Sequence, residues 1–138
     1  MSELIEIINL EFLSERKSIS LIEPILNKIR LDFNIKDDKY YNILVAVTEA
    51  INNAIIHGNK LNPDKKVFFK IDNINNELIF TILDEGTGFN LDKIADPRNP
   101  ENLMKDNGRG VFLIRELSKY VNFNLTNIGS KIEMHFDI

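Results

Sequence analysis

Cysteine is absent from the sequence, which excludes disulfides, thiolate metal sites and a cysteine nucleophile. An excess of positive charge is missing as well, since the net charge is −4 at pH 7 and no basic run exceeds two residues, as at Lys65-Lys66. Binding to nucleic acid depends on basic surfaces that attract phosphates. We therefore expect no direct nucleic-acid partner.

Long apolar stretches are also missing, and none approaches the roughly 20 residues that a membrane-spanning helix needs. The first residues, MSELIEIINLEF, lack the basic segment and the apolar run of a signal peptide. These absences predict a cytoplasmic protein with no membrane partner. We find no internal repeat, and 138 residues suffice for one domain with a real core, so we expect 1–138 to form a single domain.

Apolar and polar residues alternate in five segments, which is typical of strands with one buried face. Apolar residues at helical spacing predict three helices: one after the capping-box pattern Ser20-x-x-Glu23, a long one that ends at Gly58, and one after Gly108. Together these elements predict an α/β two-layer sandwich, a mixed, mostly antiparallel sheet with about three helices on one face. The apolar strand positions are Ile8, Leu10, Phe12; Val67, Phe69, Ile71; Leu78, Phe80, Ile82; Val121, Phe123, Leu125; and Ile132, Met134, Phe136, Ile138.

The stretch 47–59, VTEAINNAIIHGN, reads as the second half of the long helix and carries two polar residues on one face. Glu49 and Asn53 lie one turn apart, about 40° from each other around the helix. Their neighbours Val45, Ala46 and Ile56 are apolar, so this face should be covered by protein or by a ligand. Taken alone, such a pair is more often an exposed carboxylate and a surface amide. The opposite, core-facing side carries Leu44, Val47, Ile51 and Ala54.

Asp84 continues the apolar face of the third strand, in register with Phe80 and Ile82. Side chains two residues apart on a strand share a face, so Asp84 is expected on the helix-covered side of the sheet. A carboxylate placed there needs a polar partner. The connection that follows, 85–107, has no periodicity, and connections of this length are usually functional or disordered.

Four features, each weak alone, converge on the helix-covered side: Glu49 with Asn53, the strand exit Asp84-x-Gly86-x-Gly88, the long connection, and Gly108-x-Gly110 at a helix start. Their order and spacing resemble the N, G1 and G2 boxes of the GHKL ATPase superfamily, which includes histidine kinases, gyrase and the heat-shock chaperone ATPases. Within it, TEAINNAIIHGN, DEGTGF and GRGVFLIREL are most similar to the bacterial anti-sigma-factor serine kinases. The resemblance covers about residues 8–138 and implies the Bergerat ATP-binding fold, in agreement with the sandwich.

The resemblance implies ATP or ADP and Mg²⁺ as ligands. Asn53 matches the family's magnesium ligand, and one amide oxygen suits an ion that keeps several waters and phosphates. Asp84 matches the adenine reader, which accepts a hydrogen bond from the exocyclic amine. Glu49 matches the general base that takes the proton of the attacking hydroxyl.

The other matching positions would hold the nucleotide. Glycines let the backbone approach the base, and free N–H groups at a helix start favour phosphate. We further predict that 90–107 forms a mobile lid over the phosphates. The nucleotide-binding positions are Gly86, Gly88, Gly108, Arg109, Gly110 and Ser130, the last where the family often has a threonine near the adenine.

The resemblance implies a serine/threonine protein kinase that phosphorylates a small anti-anti-sigma protein of the STAS type and alternately sequesters a sigma factor. A nucleotide-tuned binding module with little or no kinase activity is a second hypothesis, and Glu49 favours the kinase over it. A histidine kinase catalytic domain is a third, disfavoured because no dimerisation helix pair, phospho-acceptor histidine segment or sensor is present. Family members commonly dimerise, so a homodimer is also expected, although no residue identifies its interface.

Overall fold

Five strands form one sheet in this computed structural model, which describes residues 3–86 and 106–138. The predicted Gly88 and residues 90–105 of the predicted lid lie outside the described residues. The sheet order is β1-β2-β3-β5-β4, and every pairing is antiparallel, so the predicted α/β sandwich is confirmed without a parallel pair in the described part. The strands are β1 (Ile5–Leu13), β2 (Lys66–Ile74), β3 (Glu77–Leu83), β4 (Tyr120–Leu125) and β5 (Ser130–Asp137).

Three α-helices pack on the sheet: α1 (Ile22–Phe33), α2 (Asp37–Asn52) and α3 (Asp106–Leu117). A 3-10 helix (Arg16–Leu21) leads into α1, and a π-helical segment (Asn53–Gly58) continues α2. The long helix therefore ends at Gly58 as predicted, although its last turn is widened. In the described part of the chain no helix is both long and apolar enough to cross a membrane.

The core lies between the helices and the face of the sheet that the two-residue period predicted. Phe69, Phe80 and Phe136 come from the three central strands and are each at most 1% exposed. Phe80 stacks on Phe69 at 6.5 Å between ring centroids and meets Phe136 edge-on at 5.7 Å. Burial of such a side chain stabilises the fold by about 2–3 kcal/mol, so these rings fix the register of the central strands.

One expectation about the helices is wrong and another is confirmed. The Ser20 hydroxyl donates to the Lys17 carbonyl at 2.7 Å within the 3-10 helix, and α1 begins after it without a side-chain cap. Both predicted faces of the long helix are covered: Leu44 packs half-buried against the core, and Ala46, on the Glu49 side, is fully buried. Helix α3, which packs on α2, provides the cover on that second side.

The hairpin between β2 and β3 turns at two asparagines, Asn75 and Asn76, whose φ angles are 52° and 59°. Positive φ at both central residues is the requirement of a type I′ turn, where Asn and Gly are favoured. Asn76→Ala should therefore lower the free energy of unfolding by about 1 kcal/mol, because alanine keeps the Cβ that strains left-handed backbone and lacks the amide that lets asparagine tolerate it. Urea titration measures the change, with Asn76→Gly as a control that should keep or raise stability. Equal stabilities for the two variants would contradict this reading of the turn.

Candidate functional site

Asp84 directly follows β3 and is 4% exposed, on the helix-covered side where strand register predicted it. Its N–H still donates to the Ser130 carbonyl at 3.0 Å, which extends the pairing of β3 with β5 by one residue. Its carboxylate Oδ1 accepts hydrogen bonds from the N–H groups of Ser130 at 3.1 Å and Gly86 at 3.0 Å. The structure thus brings three of the candidate residues, Asp84, Gly86 and Ser130, into direct contact.

Three glycines make room for this carboxylate. A Cβ on Gly58, at the end of the π segment, would overlap the Asp84 carboxylate, and a Cβ on Gly129 would overlap the Asp84 carbonyl. A Cβ on Gly86 would overlap the carbonyl of Gly58. Sequence reasoning assigned Gly58 only to the helix end and missed Gly129, because the contacts that exclude a side chain come from a distant strand exit.

Burial raises the pKa of the Asp84 carboxyl above its ordinary value. The N–H groups of Ser130 and Gly86 and the positive charge of Lys65 act in the opposite direction, since each favours the ionised form. A carboxyl group perturbed by desolvation and held by fixed donors is a candidate functional group. Once ionised it can accept a further hydrogen bond from an amine on a ligand.

Glu49, on α2, and Asn53, the first residue of the π segment, are half-buried on the side of the long helix that faces α3. A Cβ on Gly110 would lie 2.9 Å from Glu49 Oε2 and 3.5 Å from both amide atoms of Asn53. Gly110 therefore allows α3 to approach both polar groups closely. Helix α3 therefore provides part of the cover that the sequence predicted over the Glu49 face.

Helix α3 begins at Asp106, two residues before the predicted start. Gly108 and Arg109 are its third and fourth residues and therefore lie in the first turn, at the positive end of the helix dipole. Gly110 is the fifth residue, and its N–H belongs to the hydrogen bonding of the helix itself. Gly110 contributes space beside Glu49, and its role at the phosphates stays a prediction.

Glu49 borders two cavities. The smaller, of about 190 Å³, is lined by Glu49, Arg109, Gly110 and Leu113, and Arg109 is exposed at its edge. The larger, of about 430 Å³, lies between the 3-10 helix, α1 and α2 and is mainly apolar. Reacting groups can thus reach Glu49 from two sides. The larger cavity is lined by Ile19, Ser20, Glu23, Leu44, Val45, Thr48 and Glu49.

The described residues contain no cluster of three or more acidic, histidine or cysteine side chains suited to hold a metal. A magnesium ion beside Asn53 would therefore take its other oxygen ligands from a bound molecule and from water. Mg²⁺ commonly binds in this way, because it dehydrates reluctantly and is shared with substrate phosphates. The single amide at Asn53 fits such an ion and does not fit a closed protein cage.

Comparison with known protein families identifies the family of this chain. The model of the histidine kinase-like ATPase domain matches residues 14–136. The chain belongs to this family. The resemblance carried by the sequence boxes is confirmed, and membership in an ATPase-domain family implies a nucleotide ligand.

Curated relatives of this ATPase domain include an anti-sigma F factor of Bacillus cytotoxicus, 35% identical over 92 residues, which are 64% of this chain and 62% of the relative. A serine-protein kinase RsbW of Oceanobacillus iheyensis is 30% identical over 89 residues, or 60% of this chain and 56% of the relative. Both matches span less than two thirds of the relatives' length. An anti-sigma F factor of Clostridium perfringens is 26% identical over 130 residues, 91% of each chain.

A solved structure supports the fold of the domain. The crystal structure of the RsbU and RsbW domains of a Mycobacterium tuberculosis protein superposes with a TM-score of 0.64 at 9% identity. The superposition covers 94% of this chain and 31% of that one. At this identity the match shows that the architecture is shared, and it carries no statement about activity.

Asp84→Asn should preserve the fold and raise the free energy of unfolding at pH 7. The folded pKa of Asp84 lies above the unfolded one, so the ionised carboxylate destabilises the fold at any pH above both values. Wild-type stability should accordingly increase as pH falls through the raised pKa, and the advantage of the variant should shrink over that interval. Urea titrations from about pH 7 towards pH 4 measure the free energy of unfolding of both proteins. The control is Asp64→Asn, which changes an exposed aspartate. A variant much less stable than wild type at pH 7 would contradict the argument.

Proposed function

We propose that this domain is an ATP-dependent serine/threonine protein kinase of the anti-sigma-factor type. It would phosphorylate a small anti-anti-sigma protein of the STAS type and bind a sigma factor in alternation. The observation that carries the proposal is the contact of Gly110 with Glu49 and Asn53, because it sets the start of α3 beside a carboxylate and an amide. The names of the relatives, anti-sigma F factor and serine-protein kinase, support the same class.

Asp84 would recognise the base. Its Oδ1 is held by two backbone N–H groups, so the carboxylate is fixed as an acceptor for the exocyclic amine of adenine. Gly86 lies beside it and donates its N–H to Oδ1, and the space that a Cβ would take there is occupied by the Gly58 carbonyl, so its approach to the base is proposed from the motif alone. Gly88 is proposed to contact the base only from its position in the motif, and Ser130 contributes its backbone N–H to Asp84.

Asn53 and the first turn of α3 would hold the phosphates. The N–H groups that point out of a helix start and the helix dipole favour negative charge at this end of α3. The guanidinium of Arg109, exposed at the edge of the small cavity, can add a positive charge there. Bound Mg²⁺ supplies neutralisation of phosphate charge, and the Asn53 side-chain oxygen is its candidate protein ligand.

Glu49 would act as the general base. A serine or threonine hydroxyl of the partner loses its proton to the Glu49 carboxylate while its oxygen bonds to the γ-phosphorus and the bond to ADP breaks. The larger cavity, between α1 and α2, reaches the same carboxylate from the side away from α3. We assign this cavity to the approach of the acceptor segment.

Several sequence-based expectations remain predictions alongside this proposal. They are the single domain over 1–138, the cytoplasmic location, the homodimer, and the lid over the phosphates. The binding-module hypothesis is the alternative outcome of the experiments below, in which nucleotide binds and no phosphate is transferred.

Replacement of Asp84 by Asn should weaken ATP binding by at least about tenfold, because the amide can turn a donor towards the adenine amine and leave both groups unpaired. Wild type should bind ATP and ADP in the micromolar range, more strongly with Mg²⁺. Isothermal titration calorimetry measures both proteins, and Asp64→Asn again serves as the control. Equal ATP affinity in wild type and Asp84→Asn would remove Asp84 from the adenine site.

Changes at Glu49 and Asn53 should separate chemistry from binding. Asn53→Ala should damage nucleotide binding and transfer together, because the amide holds the metal on the phosphates. Glu49→Ala should keep most ATP affinity and lose about 10²–10⁴-fold in transfer rate, the usual effect of removing a general base. The assay is radiolabel transfer from ATP to a candidate partner, run beside nucleotide titrations.

The control is Glu116→Ala, which removes an exposed carboxylate from α3 and should change neither quantity. Transfer by Glu49→Ala at the wild-type rate would show that Glu49 is not the base. Strong ATP binding by wild type, with no transfer to any cognate partner, would establish the binding-module alternative in place of the kinase.

A further inference from the structure

Asn59 directly follows the π segment, is 1% exposed, and uses its whole amide in hydrogen bonds. Its Nδ2 donates to the Ser14 hydroxyl at 2.7 Å and to the Lys66 carbonyl at 2.9 Å. Its Oδ1 accepts from the N–H of Glu85 at 2.8 Å. A buried amide with both donors and its acceptor paired has one orientation, since a flip would set like groups against each other.

These bonds connect the end of the long helix to three strand ends. Ser14 follows β1, Lys66 begins β2, and Glu85 comes one residue after Asp84. The Ser14 hydroxyl in turn donates to the Lys65 carbonyl at 2.6 Å, and the Asn59 N–H donates to the Ala54 carbonyl at 2.8 Å. The asparagine is thus held from several sides and can hold Glu85 in place.

Among the hydrogen bonds of Asn59, the one from the Glu85 N–H holds the peptide next to Asp84. The N–H of Glu85 belongs to the peptide that joins it to Asp84, just beyond the last pairing of that strand with β5. The orientation of that peptide sets the direction of the Asp84 side chain, and also the position of the Gly86 N–H that binds Oδ1. Asn59 accepts the hydrogen bond of the Glu85 N–H, which has no strand partner beyond the end of the β3–β5 pairing.

We propose that Asn59 is a positioning residue for base selection: through the Glu85 N–H it fixes the Asp84 carboxylate in the direction that accepts an exocyclic amine and rejects a keto oxygen. The inference rests on the proposed function, in which Asp84 reads adenine. It gives a role to a residue for which the sequence motifs had suggested none. Asn59 does not touch the base and acts only through Asp84.

The test compares ATP with inosine triphosphate, which carries a keto oxygen in place of the adenine amine, by calorimetry with Mg²⁺. Wild type should prefer ATP. Asn59→Ala should lose about three- to tenfold of that preference, the effect of a displaced hydrogen bond. Affinity for inosine triphosphate should change little, so the ratio of the two affinities separates positioning from general damage.

Ser14→Ala is the matched control, because it breaks the same buried network on the side away from Glu85. It should lower stability and keep the preference for ATP. Amide hydrogen exchange gives a second measurement: the Glu85 N–H should exchange faster in Asn59→Ala and not in Ser14→Ala. If Asn59→Ala fails to fold, Asn59→Asp keeps the acceptor for Glu85 and should preserve the preference despite its lost donors.

Each contrary result has a distinct meaning. An unchanged preference in Asn59→Ala, an equal loss in Ser14→Ala, or a loss in folded Asn59→Asp would overturn the positioning role and leave the proposed kinase intact. Equal wild-type affinities for ATP and inosine triphosphate would instead refute the adenine assignment of Asp84, on which both proposals depend.

Discussion

A buried carboxylate at the end of β3 is the constraint that the rest of this structure satisfies. Asp84 leaves water at a free-energy cost, and two backbone N–H groups offset part of it. For those donors to reach it, the β4–β5 turn, the strand exit and the end of the long helix must meet within contact distance. Gly58, Gly86 and Gly129 make that meeting sterically possible.

The long helix then relates this carboxylate to the second half of the site. Its regular part, α2, presents Glu49 to α3, and its π segment begins with Asn53, beside the same helix, and ends with Gly58 at Asp84. A π turn inserts extra backbone and changes which direction the next side chains face, and such turns are frequent at functional sites. One continuous helix therefore contacts both parts of the site, the Glu49 and Asn53 side beside α3 and the Asp84 carboxylate at the end of β3.

Much of this arrangement could be predicted because it follows from local periodicity. The two-residue alternation determines which strand face is buried, and it placed Asp84 on the helix side correctly. The cap at Ser20 was wrong because a preceding 3-10 helix uses that hydroxyl locally. The burial of Ala46 could be expected from the apolar neighbours of Glu49, but the covering element could not, because α3 lies about sixty residues away in the chain.

The contacts of Asn59 and Gly129 could not be predicted for a related reason. An asparagine after a helix and a glycine in a hairpin are both ordinary turn residues, and their local sequence explains them fully. Their further roles come from partners that are distant in sequence: Glu85 is 26 residues from Asn59. Such roles become visible only when every buried polar group is traced to its partner.

The burial of Asp84, which destabilises the folded chain, can also strengthen its hydrogen bond to a ligand. In a low-dielectric site a hydrogen bond to a charged acceptor is worth more than in water, and an unmet acceptor is more costly. An amine that donates to Asp84 therefore favours the ionised form, lowers the pKa that burial has raised, and offsets the desolvation already present in the fold. A ligand that presents an acceptor there finds two acceptors facing each other. Selectivity at this position thus follows from the burial of Asp84, provided that its direction is held, which is the role that the geometry leaves to Asn59.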